Sequence, residues 1–155
     1  MYTTNLGTCL WLQGRLDEAE ERLRPLVKDR EDATSFRYSY ETAPLPSLRI
    51  HSWYDNKKLK LVYRTGYALL ALGNVQISQA LALTQQGEKE ESEAKHREAM
   101  ETHLQSLKLY ELTIGPRHHH TADACHKVAW HLHQRRQYVN ALYVQPHHVQ
   151  QACPS

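Results

Sequence analysis

A chain of 155 residues, 41% hydrophobic and 23% charged, fits one ordinary globular domain, so neither a multi-domain enzyme nor a disordered tail is the default. With 19 Lys and Arg against 17 Asp and Glu, the net charge of +2 gives no global reason to expect nucleic acid or an anionic membrane. No apolar run approaches the ~18 residues that cross a bilayer, and Arg15, Asp17, Glu18 and Glu20 replace the greasy core of a secretory signal. Cys9, Cys125 and Cys153 are an odd number at no metal-like spacing, which suits a reducing compartment and a cytoplasmic location.

From the N-terminus, Leu6, Cys9, Leu10, then Leu16, Ala19, Leu23, Leu26 and Val27 recur at helical spacing, broken at Gln13-Gly14-Arg15. Two helices joined by a tight turn are expected. The second opens on Asp17, Glu18, Glu20 and Glu21, where acidic groups suit the positive dipole end, and is expected to kink or shorten near Pro25. Residues 33–60 lose the period. Pro44, Pro46, the aromatic Tyr38, Tyr40, Trp53 and Tyr54, and Lys57-Lys58-Leu59-Lys60 read as an irregular insert.

The helical pattern returns from Leu61 to about Thr84, and Gly87 to Glu93 reads as a polar connection. A helix from about Ser92 to Ile114 follows, with Ala99, Met100, His103, Leu104, Leu107 and Tyr110 inward and Gly115-Pro116 as its stop. Thr121 or His120 opens the next one, whose Ala122, Cys125, Val128, Ala129 and Leu132 lie three and four apart before a polar turn at Gln134-Arg135-Arg136-Gln137. Tyr138 to Val144 begins one more helix, cut at Pro146, and residues 146–155 are expected to be disordered. A hairpin truncated there should leave Cys125, Val128, Leu132 and Ala141 partly exposed, which favours self-association.

These pairs fit one template: a small residue after an aliphatic one in the first helix, a turn, then Ala in the second. Leu6-Gly7, Leu72-Gly73 and Val128-Ala129 supply the first element, and Ala19, Ala99 and Ala141 the second. Gly7 to Ala19 and Ala129 to Ala141 are each 12 positions, and Gly73 to Ala99 is 26, the same register with 14 residues added. Two helices approach closely only where neither side chain is bulky, so the spacing encodes a helical hairpin.

The pattern resembles the tetratricopeptide repeat (TPR), W-x-x-L-G-x-x-Y followed by A-x-x-x-F, here as Thr3-x-x-Leu6-Gly7-x-x-Leu10 with Ala19-x-x-x-Leu23, and as Leu69-x-x-Leu72-Gly73-x-x-Gln76. Tyr110-Glu111-Leu112-Thr113-Ile114-Gly115-Pro116-Arg117-His118, then Thr121-Ala122, Val128-Ala129, Tyr138 and Ala141, is similar to the kinesin-light-chain-like subclass, whose longer second helix ends in a Gly-x-x-His turn. Repeats of this kind are common in fungal TPR proteins and at the C-terminal ends of fungal nucleotide-binding signalling proteins. The resemblance implies an all-α fold, a short right-handed solenoid of antiparallel hairpins. Its divisions are a first hairpin at 1–32, an irregular insert at 33–60, a second, extended hairpin at 61–116, a truncated third at 117–145 and a tail at 146–155.

Ten of the eleven histidines follow residue 95, but His118, His119 and His120 are consecutive, and His126, His131 and His133 lack the spacing of a zinc site. No metal and no cofactor are expected. Cys125 adjoins His126, and adjacent helical residues diverge by about 100 degrees, so this pair makes no nucleophile and base. With no phosphate-binding loop and no nucleophile elbow, the chain is not expected to be an enzyme. Lys57, Lys58, Lys60 and Arg64 with Trp53, Tyr54 and Tyr63 read as a solvated basic loop rather than a nucleic-acid patch, since no nucleic-acid-binding motif surrounds them.

Surface recognition remains: a scaffold for a partner peptide or protein, with no nucleic acid and no membrane. In TPR solenoids the first helix of each pair lines the concave face. The resemblance carries groove positions onto Thr4, Thr8 and Trp11, onto Leu70, Asn74 and Ile77, and onto His126, Trp130 and His133. Asn74 corresponds to a groove asparagine that bonds a partner's main chain. An alternative from another class is a fragment of a larger nucleotide-binding signalling protein whose repeats self-associate or hold it inactive.

Overall fold

The structure, a computed structural model, describes residues 2–34 and 53–136, with side chains over 2–27, 64–111 and 114–136. Among these residues every regular element is a helix: α1 (Tyr2–Leu12), α2 (Leu16–Thr34), α3 (Trp53–Gln86), α4 (Lys89–Thr113) and α5 (His119–Gln134). The turns after α1, α3 and α4 carry Gly14, Gly87 and Gly115 at φ of 77°, 87° and 84°, a left-handed region that side chains resist. At Gly115 the closure is tight. The Ile114 and Gly115 amides both donate to the Tyr110 carbonyl, the Gly115 carbonyl accepts from Thr121 Oγ1 at 2.8 Å, and His118 Nδ1 accepts from the His120 amide. The expected stop and the next helix start are thus one hydrogen-bonded corner, with α5 beginning at His119.

Three expectations about helix limits are corrected. Pro25 does not shorten α2, which continues through it to Thr34, with Ala19, Leu23 and Val27 buried on both sides of it while Pro25 faces solvent. Residues 53–60, expected in the irregular insert, are the first two turns of α3. No proline lies between Pro46 and Pro116, and Lys and Leu are good helix formers without any apolar period to announce them. The connection before α4 is only Gly87-Glu88. Glu90 and Glu91 favour the first turn of α4, and Ser92 Oγ donates to the Ala80 carbonyl at 2.8 Å, pinning that turn on α3.

The interior has two parts that share α3. Leu10 of α1, Ala19, Leu23 and Val27 of α2, and Ala68, Leu69, Ala71, Leu72 and Val75 of α3 form one. Leu70 of α3, Leu107 and Tyr110 of α4, and Ala124, Cys125, Val128 and Leu132 of α5 form the other. Cys125, Val128 and Leu132 are therefore buried, against the expectation of partial exposure, because Leu70, Leu107 and Tyr110 already cover them. Ala141 and the Tyr138–Val144 helix lie outside the described residues, as does the 146–155 tail.

Small residues set the helix spacing. A β-carbon on Gly7 would stand 2.6 Å from Leu23 Cγ, one on Gly73 2.3 Å from the His103 ring, and one on Gly66 2.6 Å from the Tyr110 ring. Numbers fall along α3 as they rise along α4, so the two helices run in opposite directions. Gly7 also decides which face of α1 turns inward: Thr4, Gly7 and Leu10 are buried, while Leu6 and Cys9, expected on the inner stripe, are exposed. Leu104, also expected inward, is 40% exposed.

A ring of alternating charges ties α2 to α4. Glu20 and Glu98 each accept from both Arg24 and Lys95, with Lys95 Nζ at 3.0 Å from Glu20 Oε1 and 3.1 Å from Glu98 Oε2. Gln79 of α3 donates to Glu20 at 2.8 Å and to Asp17 at 3.0 Å. Burial alone would raise the Glu20 and Glu98 carboxyls; the hydrogen bonds from Gln79 and Lys95, and from Arg24 and Lys95, outweigh it and hold both below the ordinary value. No described helix is long and apolar enough to cross a membrane.

Candidate functional site

The expected groove residues fall into three groups. On the first face, Trp11 Nε1 donates to Ser78 Oγ at 2.8 Å, and Ser78 Oγ donates to the Asn74 carbonyl at 3.2 Å. That chain brings α1 beside α3 and places Trp11, Thr8, Asn74 and Ile77, all half-buried, along adjoining helices. Thr8 Oγ1 donates to the Thr4 carbonyl at 3.0 Å. Each of these four residues keeps part of its surface exposed.

Thr4 and Leu70 are fully inside. Thr4 shares the buried side of α1 with Gly7 and Leu10, and Leu70 packs among Leu107, Tyr110 and the α5 apolar row. Neither presents a side chain to a partner, which corrects their placement on the groove. Leu70 turns inward among Leu107, Tyr110 and the α5 row, and Asn74, one turn on, is half-buried.

His126, Trp130 and His133 share a face of α5, but that face does not adjoin Asn74. The Trp130 ring lies 6.3 Å from His96 of α4, and with Leu81, Glu93, Arg97, His131, Gln134 and Arg135 these two line a cleft of about 650 Å³. The rotation of α5 follows from burial of Cys125, Val128 and Leu132 on its opposite side. His126 and His133 are exposed.

Sequence reasoning missed a buried imidazole pair. His103 Nδ1 and His131 Nε2 are 3.0 Å apart, and His103 Nε2 is 3.4 Å from the Leu70 carbonyl. A carbonyl only accepts, so His103 carries its proton on Nε2. Its bare Nδ1 then accepts from His131 Nε2–H. Burial, then the neighbouring His131 and Lys127, lower His103 to about 3. Burial, then His96, Arg135 and Lys127, lower His131 to about 4. Both rings are neutral near pH 7. The signal was present in the template, since His103 stands four residues after Ala99, where the pattern has its aromatic.

His118 stacks on His119 and His120 with ring centroids 4.3 and 5.3 Å apart, His119 and His120 are tilted at 4.0 Å, and His120 stacks on Tyr110 at 5.8 Å. Among the described residues no group of three or more His, Cys, Asp or Glu is arranged to hold a metal ion. Cys125 is buried and its thiol is pushed up to about 11, chiefly by burial, while His126 beside it is exposed, so the two do not meet. The basic cluster of 57–64 lies on α3, and of its side chains only Arg64 is among those described.

Residues 1–25 match the family model of the tetratricopeptide repeat, the stretch that holds α1 and the start of α2. No curated protein and no solved structure matches the chain.

Proposed function

We propose that this chain is a protein-interaction scaffold in which α1 with α2, and α3 with α4, are TPR-type hairpins of a short right-handed solenoid and α5 opens a third. Tetratricopeptide repeats generally mediate protein–protein contacts, and residues 1–25 match that family. The observation that carries the reading is the recurrence of that hairpin in α3 and α4. Gly73 lies under His103 as Gly7 lies under Leu23, each large residue four positions after a buried alanine. The Gly115 corner, with His118 capping α5 and Thr121 bonded back to the glycine carbonyl, supports the kinesin-light-chain-like subclass.

The face shared by α1 and α3 receives the partner, with Asn74 bonding its main chain and Thr8, Trp11 and Ile77 supplying the surface around it. A pull-down with the full chain identifies a binding segment, which is then titrated calorimetrically against the parent and Asn74→Ala. One such hydrogen bond contributes about 0.5 to 1.5 kcal/mol net, so the variant should bind several-fold more weakly with unchanged helicity. His119→Ala, at the corner far from this face, should bind as the parent does. Equal affinity of Asn74→Ala and the parent would place binding elsewhere.

A further inference from the structure

We infer that the cleft between α4 and α5 is a docking site of its own, for an acidic segment of a partner protein that sets carboxylates on Arg97 and Arg135 and an apolar side chain against Trp130; it is independent of the α1 and α3 face. Glu93, His96 and Arg97 of α4 and Trp130 and Arg135 of α5 wall this cleft of about 650 Å³, with Leu81 contributed by α3. Its donors are left open. Both arginines are exposed, and among the described residues neither guanidinium has a hydrogen bond or a carboxylate within 4.0 Å. The half-buried Trp130 likewise has no acceptor for its indole N–H. Glu93, the one acid in the wall, pairs with neither arginine. Burial, then Arg135, lower His96, and burial, His96 and Arg135 lower His131, so both rings are neutral near pH 7 and the arginines outweigh Glu93.

Charge selects the occupant. Open donors beside an indole in a concave wall match a ligand rich in acceptors with an apolar part, and a guanidinium fork fits a carboxylate edge to edge. The chain's own undescribed stretches do not bring that chemistry: residues 137–155 contain no Asp or Glu, and residues 35–52 hold Glu41 against Arg37 and Arg49. A nucleic acid would need a longer basic track than two arginines next to Glu93. A short run of Asp or Glu flanking one large apolar residue meets both arginines and the indole at once.

A random-peptide phage library selected on the full chain tests this. The recovered peptides should be rich in Asp and Glu next to an aromatic or aliphatic residue. One of them, labelled with fluorescein and followed by anisotropy, should bind about tenfold more weakly to Arg97→Ala and to Arg135→Ala. Its affinity should also fall as NaCl rises from about 0.05 to about 0.3 M. Circular dichroism should stay the same, since both side chains are exposed. Asn74→Ala and Arg15→Ala should bind the peptide as the parent does, which separates this site from the α1 and α3 face. Recovered peptides without acidic residues, or an affinity that survives the double variant Arg97→Ala with Arg135→Ala, would overturn the proposal. So would a loss seen in Asn74→Ala but not in the arginine variants, which would leave the groove reading standing. A dimer of the 18.0 kDa chain in sedimentation that the double variant dissolves would make the occupant a second copy and overturn it too.

Discussion

Gly73 of α3 lies flat against the imidazole of His103, so close that a β-carbon there would stand 2.3 Å from both Nε2 and Cδ2 of the ring. The ring is fully buried and held at its far side by His131. It has no room to retreat. Gly73→Ala would gain about 1 kcal/mol of helix propensity and lose more to overpacking, so a net loss of about 1 to 3 kcal/mol is expected. Chemical denaturation of the variant checks this; a stability equal to or above the parent's would mean that α4 can shift outward at little cost.

The same pair makes the fold acid-sensitive above the carboxylate range. With folded values of about 3 and 4, His103 and His131 take up protons more readily in the unfolded chain, where the ordinary value is about 6.5. Their contribution is fully present above about pH 6.5 and is lost as pH falls toward those folded values, with a slope of up to about 1.4 kcal/mol per pH unit for each proton. Glu20 and Glu98, held low, lose their contribution only near and below their ordinary range, so the window from pH 6.5 to 5 belongs to histidines, the pair together with His96 and His120, which burial also lowers, and a variant of the pair is needed to separate them. Melting temperatures across that window should fall in the parent and fall less in His103→Leu. Parallel curves would assign the acid sensitivity to other groups.

The charge ring between α2 and α4 should matter more than an exposed pair. Lys95 and Glu20 have side-chain exposures of 21% and 13%, against 53% and 54% for Arg15 and Glu18. Lys95→Ala is expected to cost about 1 kcal/mol, less in high salt, whereas Arg15→Ala should leave the melting temperature unchanged. A double-mutant cycle with Glu20→Gln measures the coupling. Zero coupling in low salt would reduce the ring to surface decoration.

Trp11 and Ser78 offer a test of how α1 is held. Trp11→Phe keeps the apolar packing and removes the indole donor, and Ser78→Ala removes the acceptor; each should cost about 0.5 to 1.5 kcal/mol. Because both changes break one bond, the double variant should be little worse than either single one. Fully additive losses would show that the hydroxyl and the indole act separately.

Much of the helical order was readable because Leu10, Leu23, Val75, Leu107 and Val128 recur at the helical period and end up buried. Gly7 and Gly73 were readable as close approaches for the same steric reason that the structure displays. The inner side of α1 was not. Its residues are apolar or neutral all round, so the pattern has no preferred direction, and spacing alone points Leu6 and Cys9 inward as readily as Gly7. The start of α3 was hidden because its first turns carry lysines rather than a stripe. His126, Trp130 and His133 do share one face, but whether it looks toward α3 or α4 depends on how α5 rolls on Leu70 and Tyr110, which no local sequence encodes. The His103–His131 pair joins residues 28 positions apart and exists only once α4 and α5 pack.

α3 is 34 residues long, about 51 Å at the usual rise. Its successive residues Leu69 and Leu70 belong to different interior parts, the first packed with α1 and α2 and the second with α4 and α5. Repeat arrays commonly fray from their ends, unit by unit, because each unit touches only its neighbours. Here one rod is the common wall of both halves, so loosening either half strips contacts from the same few turns. The described helices should therefore lose amide protection together, as a single cooperative block.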